Sequence, residues 1–129
     1  MFEKFNFSAK QISQYYRNAL RDFAIASQTD IPEVAFRFGY DCLLKLAITA
    51  CAVQGLRVKA KLGHHWELLE KLAFYFNDPE IKLIGNDMRT KRNFDLYGGG
   101  NLISQKEVAA YIDWLKKIIK KAEKYIRDK

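Results

Sequence analysis

Apolar side chains recur along most of this chain every three to four positions, the spacing of a helix that buries one face. Ile12, Tyr16, Ala19, Leu20 and Phe23 share one such face near the start. Between residues 31 and 54 the chain is apolar nearly all round (Val34, Ala35, Phe36, Phe38, Leu43, Leu44, Leu46, Ala47, Ile48), which predicts a central helix. The last helix divides cleanly. Val108, Tyr111, Ile112, Leu115, Ile119, Ala122 and Ile126 fall within an arc of roughly 100°, and Lys116, Lys117, Lys120, Lys121, Lys124 and Arg127 within another of ~140°. That basic arc reads either as a solvated surface or as a binding stripe.

The helix starts carry their own signals. Ser8 with Gln11, and Ser104 with Glu107, have the spacing of a capping box. Asp30 before Ile31-Pro32-Glu33 and Asp78 before Pro79-Glu80 each set an acidic cap ahead of a proline, where a missing donor costs little. Gly55, Gly63 and the run Gly98 to Gly100 supply breaks. These marks predict five helices over about 8–28, 31–54, 64–76, 79–97 and 104–127, hence an all-α fold. No stretch alternates with period two between turn signals, so no sheet is expected.

At 129 residues the chain suits one domain, 1–129, and neither a repeat nor a linker interrupts it. No run reaches the ~18 apolar residues of a membrane span, and MFEKFNFSAK lacks the apolar core of a signal peptide. A cytoplasmic protein with no membrane role is expected. Cys42 and Cys51 would stand about 13 Å apart on one helix, too far for a bridge, so buried thiols are expected. The net charge of +7 concentrates in residues 98–129, which hold eight Lys+Arg against four Asp+Glu. An excess of that sign suits either a polyanionic partner or simply a soluble basic protein.

Few residues offer chemistry. His64 and His65 are adjacent and would point ~100° apart on a helix, and no Cys or further His completes a transition-metal set. No metal and no cofactor is expected, and hydrogen bonds close by in sequence are the simpler use of both rings. Gly98 to Gly100 follows a helix and lacks the Gly-Lys-Ser/Thr of a phosphate loop, so it reads as a helix stop. In GLRVKAKLG, residues 55–63, Arg57, Lys59 and Lys61 stand without an acid; they suit either phosphate contact or an ordinary basic connection. Arg37, Tyr40, Asp41 and Lys45 interrupt the apolar central helix, where each is costly unless paired or turned to a cleft. Arg89, Arg92 and Asn93 share a helical face. A surface pair of Arg92 with Asp95, with Tyr97 covering the helix end, is the plain alternative.

Three stretches, FGYDCLLKLAITACAVQGLRVKAKLGHHWELLEKL, MRTKRNFDLYGGG and the long amphipathic last helix, together resemble the HEPN superfamily, most of all its small stand-alone prokaryotic members. The likeness covers about two-thirds of the chain. It implies an up-and-down helical bundle that forms a homodimer, with the motif of both copies meeting in one cleft. Ribonucleases of that superfamily carry R-x4–6-H and cut RNA without metal. Here both histidines precede Arg92, and Tyr97 stands where an R-x4-H histidine would be. With a pKa near 10, a tyrosine is ionised only ~0.1% of the time at pH 7 and makes a poor base.

Two functions follow from that departure. The first is a dimeric module that holds RNA, a nucleotide or a partner protein without cutting. Arg89, Arg92 and Asn93 would contact phosphate, Asp95 would orient Arg92, Tyr97 would stack or hydrogen-bond, and Tyr40 and Asp41 would line the cleft. The alternative is a metal-independent endoribonuclease, such as the toxin of a toxin–antitoxin pair. Arg92 would then be the electrophile, and Tyr97 or His64/His65 would move protons. Some toxins of the superfamily are silenced by a nucleotidyltransferase that modifies a tyrosine two residues beyond the histidine. Tyr97 does not occupy that position, so an antitoxin or nucleotidyltransferase partner rests on the family likeness alone. In a third, structural reading Arg92 and Asp95 tie the dimer together.

Overall fold

A computed structural model of the chain describes residues 2–59, 64–98 and 103–129, and of 94–98 the helical backbone alone. The order of elements is β1 (Phe2–Lys4), α1 (Ala9–Gln28), α2 (Pro32–Val53), β2 (Leu56–Val58), α3 (His65–Tyr75), α4 (Glu80–Gly98) and α5 (Gln105–Arg127). All five helices lie within a residue or two of the expected bounds.

Local chemistry sets most of the ends. Both capping boxes form: Ser8 Oγ accepts from the Gln11 N–H at 3.1 Å, and Ser104 Oγ from the Glu107 N–H at 3.1 Å. Asp78 accepts from the Glu80 N–H at 3.1 Å, as expected of an acidic cap. Asp30 does not act as one. The helix starts a residue later, so Ile31 is the N-cap and lacks a side-chain bond; its own N–H donates to Thr29 Oγ1 at 3.2 Å. Between α3 and α4 the chain turns at Asn77, whose φ of 50° is a conformation that asparagine tolerates better than most residues.

Against expectation there is a small sheet. β1 pairs antiparallel with β2, setting Phe2 opposite Val58 and Lys4 opposite Leu56. Three-residue strands are too short to show alternation, and the partners lie more than fifty residues apart. Gly55, at φ 73°, turns the chain out of α2 and into β2.

The rest is an all-α helical bundle around α2, which packs against α1, α3, α4, α5 and β2. Tyr40, Leu43 and Leu46 of α2 are fully buried with Leu69 and Leu72 of α3, Ile81 and Met88 of α4, and Leu115 and Ile118 of α5. Removing such surface from water, at ~25 cal/mol per Å², is the main force holding the helices together. The buried arc of α5 is wider than the pattern suggests. Trp114 and Ile118 join Val108, Leu115 and Ala122, because Trp114 reaches α4 and donates from Nε1 to Glu80 at 2.9 Å. Among the described residues no helix is long and apolar enough to cross a membrane. Cys42 and Cys51 are buried free thiols, as expected.

One polar pair crosses the core. Lys45 Nζ lies 2.7 Å from Oδ2 of Asp22, a buried acid on α1. The two form an ion pair by distance, although that oxygen lacks a partner of hydrogen-bond geometry. The partner that Lys45 requires is thus an acid on the otherwise apolar face of α1.

Candidate functional site

Three helices converge on Tyr40. Burial of α2 carries its ring inside, and the phenol meets Nδ1 of His65, in the first turn of α3, at 3.1 Å. The two rings are tilted with centroids 5.6 Å apart. From α4 the Arg92 guanidinium stands over the Tyr40 ring, 5.7 Å from its centroid. Such a cation–π contact gains about 0.5–2 kcal/mol as water is excluded. Arg92 is partly exposed, yet its Nε is buried and has no hydrogen-bond partner among the described residues.

The electrostatics of the cluster follow from burial and from its two arginines. Burial pushes the Tyr40 phenol up to about 12, although Arg92 and Arg89 pull the other way. Burial also lowers His65, and Arg92 and Arg89 lower it further while Asp41 opposes them. The imidazole is therefore neutral at pH 7. Asp41, half-buried one residue after Tyr40, is raised by burial; Arg92, Lys45 and Arg37 draw it back and Asp22 pushes it further up. Two tautomers satisfy the Tyr40–His65 bond. If Tyr40 donates to Nδ1, the ring proton sits on Nε2, which is then a donor. If Nδ1–H donates to the phenol oxygen, Nε2 is left as a base.

Arg89 lies one turn before Arg92. Its Nε and Nη2 donate to Asn86 Oδ1 at 3.1 and 2.9 Å, and its guanidinium sits 5.9 Å from the centroid of Trp66. Lys91, the residue before Arg92, ties α4 to α5: its Nζ lies 3.0 Å from Asp87 Oδ2, 2.7 Å from the Tyr111 hydroxyl and 3.2 Å from Glu107 Oε2. Tyr111 also donates to Asp87. Burial works against the Lys91 charge, but these bonds outweigh it and raise its pKa. Arg92 thus projects from a helix turn that Lys91 ties to α5.

Gly85 brings the helices close enough. A Cβ there would stand 2.8 Å from Cδ2 of Leu69 on α3. Without that approach α4 could not sit against the helix that carries His65 and Trp66.

The expected site residues divide accordingly. Tyr40, His65 and Arg92 meet, with Asp41 and Arg89 near enough to shift their proton affinities. His65 does not bond close by in sequence, as a helix-initial histidine was expected to; its partner is 25 residues away. His64 is the N-cap of α3 and makes no capping bond, and its Nδ1 is buried without a partner among the described residues. Asn93 is exposed. Arg57 and Lys59 are not free loop cations. Arg57 lies in β2, donates from Nε to Glu3 at 2.6 Å and covers the Phe5 ring, and Lys59 Nζ is 3.7 Å from Glu3. The acid that pairs them comes from β1, and the unexpected strand pairing brings it there. The Asp95 and Tyr97 side chains, Lys61, and the glycines Gly63, Gly99 and Gly100 lie outside the described residues. Among the described residues no group of three or more His, Cys, Asp or Glu is placed to hold a metal ion.

The basic arc of α5 is partly paired, through Lys116 to Asp113, Lys121 to Asp78 and Arg127 to Glu123. Trp66, Asn86 and Lys91 were absent from the expected site. Lys91 and Asn86 had local signals, Asp87 four residues before the lysine and Arg89 three residues after the asparagine; Trp66 had none.

Protein-family models, curated proteins and solved structures offer no match to this chain.

Proposed function

We propose that this protein binds a phosphate group of RNA at the Arg92–Tyr40–His65 cluster, as a dimeric HEPN-like module. One observation carries the reading: a partly exposed guanidinium is held against a buried tyrosine that bonds a half-buried histidine, with its Nε turned away from water. An arginine so fixed has lost rotamer freedom before any ligand arrives, so less ordering remains to be paid for at binding. Phosphate is its natural counterpart, because guanidinium donors match two phosphate oxygens at once. The His65 Nε2–H tautomer adds a third donor. Arg89 sits close behind, and the chain's net charge of +7 favours approach of a polyanion.

A second reading draws on the same geometry. A histidine kept neutral at pH 7 beside an arginine supplies the two parts that metal-free RNA cleavage requires. In the other tautomer His65 Nε2 would take the proton of a 2′-OH as that oxygen attacks phosphorus. The 5′ oxygen would leave and take a proton from water, and Arg92 would stabilise the charge on the phosphoryl oxygens. His65 would then stand in for the histidine missing after Arg92.

The test is titration of a labelled single-stranded RNA in excess chelator, with Arg92→Ala beside the wild type and the RNA ends analysed afterwards. Loss of one charge-assisted contact weakens binding about 10- to 100-fold and removes about 0.7 from the salt slope. Because an anion favours His65-H⁺, whose pKa is depressed in the free protein, wild-type affinity rises as falling pH protonates His65. Binding indifferent to Arg92, salt and pH would refute the phosphate site. Cyclic phosphate ends that vanish in His65→Gln would establish the second reading.

A further inference from the structure

Trp66 has no part in the phosphate cluster, yet it stands one residue from His65 and remains partly exposed. Two cations flank its ring: Lys82 Nζ lies 5.3 Å from the centroid and Arg89 Cζ 5.9 Å. Asn86 takes two donors of Arg89 and so fixes the guanidinium at the indole. Lys82 is looser, with a single ion pair to Glu70 at 3.7 Å between half-exposed side chains. Lys82 and Arg89, seven residues apart, lie on nearly the same line of α4, and Arg92 is three residues further on. From Lys82 to Arg92 the helix rises about 15 Å. An aromatic face midway along a row of cations is the arrangement by which proteins hold unpaired bases, because every base has a π-face to stack. A duplex keeps its bases stacked inside and offers none to Trp66.

We propose that the α3–α4 face is a single-strand platform, on which an unpaired base takes the place of the loosely held Lys82 ammonium on the Trp66 ring while its neighbouring phosphate sits at Arg92. The inference rests on the phosphate reading above and narrows its ligand to unpaired RNA. Stacking needs a ring at position 66 but not an indole, and the phosphate site needs no ring there.

The experiment compares wild type, Trp66→Phe, Trp66→Ala and Arg92→Ala against three probes: a single-stranded adenylate hexamer, a duplex of the same length, and ribose 5-phosphate. The hexamer is expected to quench wild-type tryptophan emission and to bind Trp66→Phe within about threefold of wild type without that quench. Trp66→Ala is expected to lose about 10- to 100-fold for the hexamer and to keep its affinity for ribose 5-phosphate. Arg92→Ala is expected to lose both. If Trp66→Ala binds the hexamer as wild type does while Arg92→Ala fails, the platform is wrong and the phosphate site stands. If duplex and hexamer bind alike, the platform is also wrong. If Trp66→Ala loses ribose 5-phosphate too, Trp66 serves only to join α3 to α4. If wild type binds no probe, the phosphate reading itself fails.

Discussion

Replacing Tyr40 by phenylalanine removes one oxygen and leaves the ring that Arg92 covers. At neutral pH the loss is the part-buried hydrogen bond to His65 Nδ1, about 1 kcal/mol. At high pH the sign reverses. The Tyr40 phenol is raised from 10.0 to about 12, so between those values the folded protein holds a proton that the unfolded chain releases. Wild-type stability contributed by this group is complete below pH 10 and falls as pH rises through the folded value. Linkage puts the fall at about 1 kcal/mol by pH 11 and about 2 kcal/mol by pH 12. Tyr40→Phe has no such proton to lose, and the other tyrosines titrate alike in both proteins. The variant should therefore be less stable than wild type at pH 8, by about 1 kcal/mol, and equal to it or better near pH 11. Urea unfolding followed by helical circular dichroism at several pH values measures the gap. A gap that stays constant from pH 8 to pH 11 would show that the phenol is not held neutral by its surroundings, and the cluster as described would be wrong.

Two further outcomes follow from packing. Gly85→Ala places a Cβ 2.8 Å from Leu69 Cδ2 in a filled core, so overpacking of about 1–3 kcal/mol outweighs the ~1 kcal/mol that alanine contributes to a helix. Thermal melts should show a net loss, and in a Leu69→Ala background the same change should cost less or become favourable; a stabilising Gly85→Ala alone contradicts the close approach. Cys42 and Cys51 are buried thiols pushed up to about 12 and about 11, chiefly by desolvation. A thiol reagent at pH 8 should modify them only as fast as the protein opens and at once in denaturant, and rapid labelling of the native protein would show that α2 is less enclosed than described.

Much of this protein was legible in its sequence for a local reason. Capping serines, prolines and apolar spacing act within one helix, so Ser8, Ser104 and the periodicity of each segment fixed five helices to within a residue or two. The crowding of polar residues into an apolar helix marked Tyr40, Asp41 and Lys45 as needing partners, because an unpaired polar group in a core is costly whatever the fold. Which partners they have could not be read, since pairing depends on distances between helices. Asp22 answers Lys45 across α1 and α2, and His65 answers Tyr40 across 25 residues. The same holds for Arg57, which looked free because the acid that pairs it, Glu3, lies 54 positions away and arrives through a strand too short to show a pattern. Arg92 drew notice for its spacing to Tyr97, yet packing sets it beside a histidine that precedes it in the chain. Spacing along the backbone determines which side chains share a face. The close approach of α3 and α4 at Gly85 decides which faces meet, and the candidate site exists only where they do.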